Sequence, residues 1–179
     1  MSEALIADLV RERVPDPPAG PRLNIGCGLN ILDGWMNADI VALPGVQVVA
    51  DASAGWPWRD GSLSEVRASH LFEHVADAVR FMAEAHRVLA PGGLLDIRVP
   101  GGRAVEPGYW LPHSHSLTDP THVRHCTPAT WDYWVSGASL HDGFGAAFGS
   151  PPAVFEMETL SGNGGQGEEL QVILRKEAQ

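Results

Sequence analysis

Two glycines, Gly26 and Gly28, end the stretch "LNIGCG", and acids follow at Asp39 and Asp51. A glycine has no Cβ, so backbone N–H groups and a ligand can approach closely there. At the carboxyl end of a parallel strand that freedom makes a nucleotide-like ligand the default expectation. The third glycine of the dinucleotide fingerprint is replaced by Ile31, and the Gly-Lys-Ser/Thr ending of a phosphate loop is missing. Asp39 ends the next strand run, where a carboxylate can accept from both hydroxyls of a ribose, and Asp51 ends the one after.

Two carboxylates at successive strand ends would repel a pyrophosphate. They suit a ligand that combines a ribose, an exocyclic amine and a positive charge, and S-adenosylmethionine has all three. Cys27 sits between the glycines with no basic residue nearby in sequence, so its thiol is expected to pack rather than to attack. Glu73 and His74 follow the fourth strand and either cap the next helix or face the pocket. Further on, His113, His115, His122, His125 and Cys126 crowd one segment. Imidazole and thiolate are good zinc ligands, but this spacing matches no standard site, so no metal is expected. Asp119-Pro120 should begin a turn that puts His122 and Arg124 on one side of an extended stretch, facing a substrate.

The elements that position these residues show in the apolar periodicity. Ala4 to Val14 reads as a helix and "PDPPAGP" stops it, giving a lid helix and linker over 1–20. Strands are expected over Leu23 to Gly26, Met36 to Ile40, Val46 to Ala50, Val66 to Leu71 and Leu94 to Val99. Between the last two, Ala76 to Leu89 carries Val79, Phe81, Met82, Ala85 and Leu89 on one side of a helix closed by "APGG". Strand, helix, strand implies parallel pairing. Residues 101–126, rich in Pro, Gly and His, show no period and read as a substrate-side insertion. Pro128 to Val135 reads as a short helix, and "AVFEMETL", "SGNGGQG" and "ELQVILRK" as an antiparallel hairpin on one sheet edge.

Composition narrows the class. The 179 residues are 44% hydrophobic and 19% charged, which fits one globular α/β domain over 1–179. A net charge of -10 disfavours nucleic acid and anionic membranes, so a small or cationic partner fits better. The opening "MSEALIADLVRERV" has no basic start before a long apolar core, and no run approaches the ~20 apolar residues of a membrane span. A cytoplasmic protein with two reduced thiols, Cys27 and Cys126, is expected, as a monomer or homodimer.

Taken in order, "LNIGCGLNILDGWMNADI", "VVADAS", "ASHLFEHV" and "RVLAPGGLLDIRVP" resemble the signature blocks of class I S-adenosylmethionine-dependent methyltransferases over roughly residues 22–100. "GW-N-D" at Gly34 to Asp39 and "DPTH-R" at Asp119 to Arg124 are similar to the short bacterial branch written as the type 11 group. The resemblance implies a Rossmann-like sandwich with a mostly parallel central sheet and a C-terminal antiparallel hairpin, with the cofactor-binding core over 22–100 and the helix and hairpin over 127–179. It implies that Gly26 and Gly28, with Cys27 between them, line the methionine part of S-adenosyl-L-methionine, that Asp39 holds the ribose, that Asp51 with Ala52 meets the adenine, and that Ser69 and His70 lie beside the sulfonium. Two departures stand out: Asn30 replaces a frequent third glycine, and the link from Gly28 to Met36 is too short for the usual first helix.

The implied activity is methyl transfer to oxygen or nitrogen of a small molecule, aromatic or anionic. His122 is the expected base, with His70 or His74 in reserve, and Arg124 the expected clamp for an anionic group. Tyr109, Trp110, Trp131, Tyr133 and Trp134 could wall the acceptor or cover the core. Competing readings are a transferase that moves another group from the same cofactor, a module that binds S-adenosylmethionine or S-adenosylhomocysteine without turnover, and a histidine-rich metal protein.

Overall fold

The computed structural model describes residues 14–106, 109–112, 114–138, 140, 142, 153–162 and 169–178. The expected lid helix and His113 lie outside these residues, as does the side chain of His115.

Among the described residues seven strands form one sheet in the order β3-β2-β1-β4-β5-β9-β8. They are β1 (Arg22–Ile25), β2 (Met36–Asp39), β3 (Val48–Val49), β4 (Leu63–Ser69), β5 (Leu89–Pro100), β8 (Phe155–Gly162) and β9 (Glu169–Lys176). The first five pair in parallel, whereas β9 runs antiparallel to β5 and β8 antiparallel to β9. A sheet covered on both faces needs apolar side chains in both directions. Accordingly Leu23, Ile25, Val66, Ala68, Leu94, Leu95 and Ile97 are all fully buried.

Register decides what reaches the carboxyl edge. Ile25 pairs with Ala38 and with Ala68, and Ala68 pairs with Ile97. The residues that come next along each strand therefore emerge side by side: Gly26, Asp39 and Ser69. From the other side, Glu169 opens β9 opposite Pro100, so the hairpin also contributes to this edge.

The crossover helix spans Ala78–Val88, with the Asp77 side chain accepting from the Arg80 N–H at its start. Its buried face is Phe81, Met82, Ala85 and Val88. Val79, expected on that face, is 45% exposed, and Leu89 already belongs to β5. Val88 sits seven residues after Phe81, two helical turns, and so stays on the buried stripe. Arg87 fastens the helix by bonding Glu84, Asp60 and the carbonyls of Trp56 and Trp58.

The 101–126 segment is more regular than its composition implied. Strands β6 (Gly102–Glu106) and β7 (Tyr109–Pro112) pair antiparallel, and a short helix covers Ser114–Thr118. The strands are too short for an alternation to show, though Pro107-Gly108 between them is a turn signal. Pro128–Trp134 forms a 3-10 helix rather than an α-helix, and it buries Trp131 and Trp134 against Phe72. These two rings belong to the core. No helix among the described residues is long and apolar enough to cross a membrane.

Candidate functional site at the carboxyl edge of the sheet

The glycine turn is built by its conformation and by Asp39. Gly26 and Gly28 have φ of 66° and 51°, the left-handed region where a Cβ is strained. A Cβ on Gly26 would lie 2.7 Å from the Leu71 side chain, whereas among the described residues one on Gly28 would meet nothing within 4 Å. Gly26 is thus a packing glycine and Gly28 opens onto space. The Gly28 N–H donates to Oδ2 of Asp39 at 2.8 Å, and Oδ1 of the same carboxylate accepts from the Val41 N–H at 3.0 Å. A carboxylate offers about four acceptor positions, so Asp39 keeps capacity for hydroxyl donors.

No helix follows the turn. Two buried asparagines organise the link to β2 instead: Asn24 Nδ2 donates to Asn30 O and to Asn37 Oδ1, and Asn37 Oδ1 also accepts from the Leu32 N–H. Asn37 Nδ2 returns a bond to Leu32 O. The link is therefore a set of turns tied to β1 and β2, in agreement with its short length.

Past Asp39, Ile40 and Val41 are apolar yet exposed, at 62% and 53%. Sequence reasoning placed Ile40 inside a strand and overlooked it. An apolar pair directly after a strand-end acid was the available signal. Asp51 is exposed, with Oδ1 accepting from the Ser53 N–H at 2.7 Å. Ala52 is buried, and its carbonyl accepts from Trp56 Nε1. Cys27 is buried as well, and its thiol is pushed up from its ordinary value by burial and then by Asp39. Gly28, Asp39, Ile40 and Asp51 thus lie along the carboxyl edge of the sheet, with the buried Cys27 and Ala52 beside them, and this edge is the candidate slot.

Ser69 ends β4 half-buried, and His70 follows with φ of 51°, unusual for a side chain with a Cβ. His70 Nε2 lies 3.1 Å from Glu169 Oε2, and Nδ1 lies 3.5 Å from Glu73 Oε1. The hydrogen bond to Glu169, followed by Glu73, raises this imidazole to about 9. At neutral pH it holds its proton.

The DPTH-R segment docks against the 3-10 turn Phe72–His74. The Val123 N–H donates to Glu73 O at 2.9 Å. Arg124, expected to clamp a ligand, instead donates to the carbonyls of Phe72, Val75 and Ala76 and stacks over the Phe72 ring. Carbonyls at the end of a 3-10 turn leave acceptor capacity free, and a guanidinium fork supplies several donors at once. His122 does not face the slot openly either. Its side chain is 6% exposed, Nδ1 bonds Ser116 O at 3.0 Å, and Nε2 is 3.7 Å from Asp119 Oδ2. His125 is exposed beside Ser116, and Cys126 is buried, its thiol pushed up to about 12.

A methyltransferase-domain family model matches residues 26–97, the stretch that contains the glycine turn, both acids, the crossover helix and most of β5. A curated relative, an uncharacterized 37.1 kDa protein in transposon Tn4556 of Streptomyces fradiae, is 43% identical over 53 residues. That match spans 30% of this chain and only 15% of the relative. Among solved structures, a SAM-dependent methyltransferase from Archaeoglobus fulgidus superposes with a TM-score of 0.60 at 17% identity, covering 98% of this chain and 95% of the other. The [4+2]-cyclase SpnF superposes with a TM-score of 0.58 at 17% identity, covering 98% and 81%. At such identity these likenesses concern the fold, and they include a protein named for a different reaction. Sequence and fold point the same way: residues 26–97 match the methyltransferase-domain family model, whose cofactor is S-adenosyl-L-methionine, and the chain shares its fold with solved S-adenosylmethionine-dependent methyltransferases.

Proposed function

We propose that the protein transfers a methyl group to oxygen or nitrogen of a small-molecule acceptor. The observation that carries this reading is the pairing of Gly28, whose missing Cβ leaves open space, with a partly satisfied Asp39 carboxylate beside it. S-adenosylmethionine, when bound, supplies a methyl group already activated on a sulfonium. In this reading Asp39 accepts from the ribose hydroxyls, Ile40 and Val41 cover the flat base, and Asp51 accepts from its exocyclic amine. Gly26, Cys27 and Gly28 shape the wall for the amino-acid end, and Ser69 and His70 border the reacting side.

Neither expected base is well set for the task. His70 keeps its proton between two carboxylates, and His122 is buried with one nitrogen committed to Ser116. The reaction therefore rests on alignment and exclusion of water, which can contribute on the order of 7–11 kcal/mol. An acceptor atom with an available lone pair, such as an amine, suits a site of this kind.

The test is calorimetry with S-adenosylmethionine, followed by incubation with a panel of small amines and alcohols and mass analysis of the products. A saturable heat and a product heavier by one methylene support the reading. Absence of cofactor binding would sink it. Binding without turnover of any acceptor would favour the sensor reading instead, and cofactor-dependent rearrangement without cofactor consumption would favour a cyclase-like reaction.

A further inference from the structure

His74 and His122 meet edge to face, with ring centroids 4.7 Å apart and planes at 69°. Glu73 joins them, and one ligand atom from each of the three residues falls within 4.8 Å of the other two. Glu73 is 2% exposed, and neither of its carboxylate oxygens has a hydrogen-bond partner. The 3.5 Å approach of His70 Nδ1 is to Oε1 alone. Protonated His70 offsets part of the cost of this buried carboxylate at Oε1, while Oε2 has no hydrogen-bond partner among the described residues, so the group can still take a cation.

Both imidazoles are set to bind a cation with it. The carbonyl of Ser116 can only accept, so its 3.0 Å contact with His122 Nδ1 places the proton on Nδ1 and the lone pair on Nε2. For His74, Nδ1 lies 3.0 Å from the Thr121 hydroxyl, whose own proton goes to Asp119 Oδ1, and 3.3 Å from the Thr121 carbonyl, so Nδ1 is again the donor and Nε2 carries the lone pair. An acceptor that takes one ring N–H and leaves the other nitrogen's lone pair free is the usual support of a metal-binding histidine. Asp119 adds an oxygen: Oδ1 is held by the Thr121 N–H and hydroxyl, while Oδ2 stands 3.7 Å from His122 Nε2.

We propose that Glu73, His74 and His122 bind one divalent transition-metal ion of the Zn2+ type, through a carboxylate oxygen and two Nε2 atoms. Two imidazoles and a carboxylate suit zinc and its neighbours, whereas calcium and magnesium take oxygen ligands. Bonds of about 2.0–2.2 Å in a tetrahedron hold ligand atoms about 3.3 Å apart, a distance that small side-chain rotations reach from this arrangement. The ion ties residues 119–124 to the turn that leaves β4, on the acceptor side of the slot. The sequence hides this set because two of its members lie outside the histidine-rich segment.

The inference does not depend on methyl transfer, so its test uses no S-adenosylmethionine. Untagged full-length protein, stripped with a chelator, is titrated with Zn2+ by calorimetry and checked by elemental analysis. One Zn2+ per chain is expected, with a rise in melting temperature and, for Co2+, the visible absorption of a four-coordinate ion. Glu73→Gln and His122→Gln should each weaken binding at least 100-fold, and the exposed-site control His125→Ala should not. Glu73→Gln relieves the buried charge and should fold at least as well as wild type without metal, so the test survives if His122→Gln does not fold. No saturable one-to-one binding by the wild type, or wild-type affinity in Glu73→Gln, would overturn the proposal.

Discussion

The backbone N–H of Gly28 donates to Oδ2 of Asp39 at 2.8 Å, joining the turn after β1 to the end of β2. One carboxylate therefore shapes the turn and, in the proposed reading, faces the ligand. Asp39→Ala should weaken S-adenosylmethionine binding by about 1.5–3 kcal/mol, the range for hydrogen bonds to a charged group. Calorimetry measures this directly, and an unchanged affinity would contradict the ribose assignment.

The two glycines should separate packing from binding. Gly26→Ala and Gly28→Ala each force a Cβ into the left-handed region, at about 1–2 kcal/mol of stability. Gly26→Ala also displaces Leu71, whereas the Gly28→Ala methyl points into open space. Denaturant melts should show Gly26→Ala as the less stable variant, and cofactor titration should show Gly28→Ala as the weaker binder. The reverse order would mean that the slot lies elsewhere.

Arg124 illustrates why part of the site was not legible in the sequence. The Gly26, Gly28, Asp39 and Asp51 set could be read because strand ends in a parallel sheet share one edge, and counting along each run is enough to find them. The destinations of Arg124 and His122 depend on how residues 119–125 dock on a turn some 50 positions earlier, and no local pattern encodes that. The helix phase shows the same limit at shorter range: taking Val79 for the buried face, where the structure uses Val88, is a small error in a stripe otherwise read from Phe81, Met82, Ala85 and Leu89. Glu73 could be placed after the fourth strand, but its burial and its two histidine neighbours emerge only from the packed structure.

From that docking follows a prediction for Arg124→Met. Loss of donors to three carbonyls should destabilise the fold by about 2–4 kcal/mol. Where the variant remains folded, cofactor affinity should be retained. A loss of acceptor affinity at unchanged stability would restore the clamp role.

Arg87 holds Glu84 through a hydrogen bond that depresses its carboxyl below the ordinary value of 4.5. A depressed folded-state value contributes stability that is present above about pH 4.5 and is lost as pH falls through the folded value. Arg87→Met should cost about 2–3 kcal/mol at neutral pH. The gap between its melting temperature and that of the wild type should narrow as the pH is taken below 4.5, without closing, because the bonds to the Trp56 and Trp58 carbonyls do not titrate. Parallel melting curves at all pH values would refute the pairing.

Burial raises both thiols, Cys126 to about 12 and Cys27 less, so little thiolate forms in the native protein. An aromatic disulfide reagent at mildly alkaline pH should label neither thiol quickly until denaturant is added, when both should react. Rapid labelling of one thiol in the native protein would show that its wall opens.

The turns between Gly28 and Met36 have a consequence for selectivity. A helix beginning there would lend about half a unit of positive charge to any anion placed against it. Individual amide groups fixed by Asn24 and Asn37 offer directed bonds without that field. Recognition of a zwitterionic tail at this wall is then governed by shape and donor geometry, and added salt should alter ligand affinity only weakly.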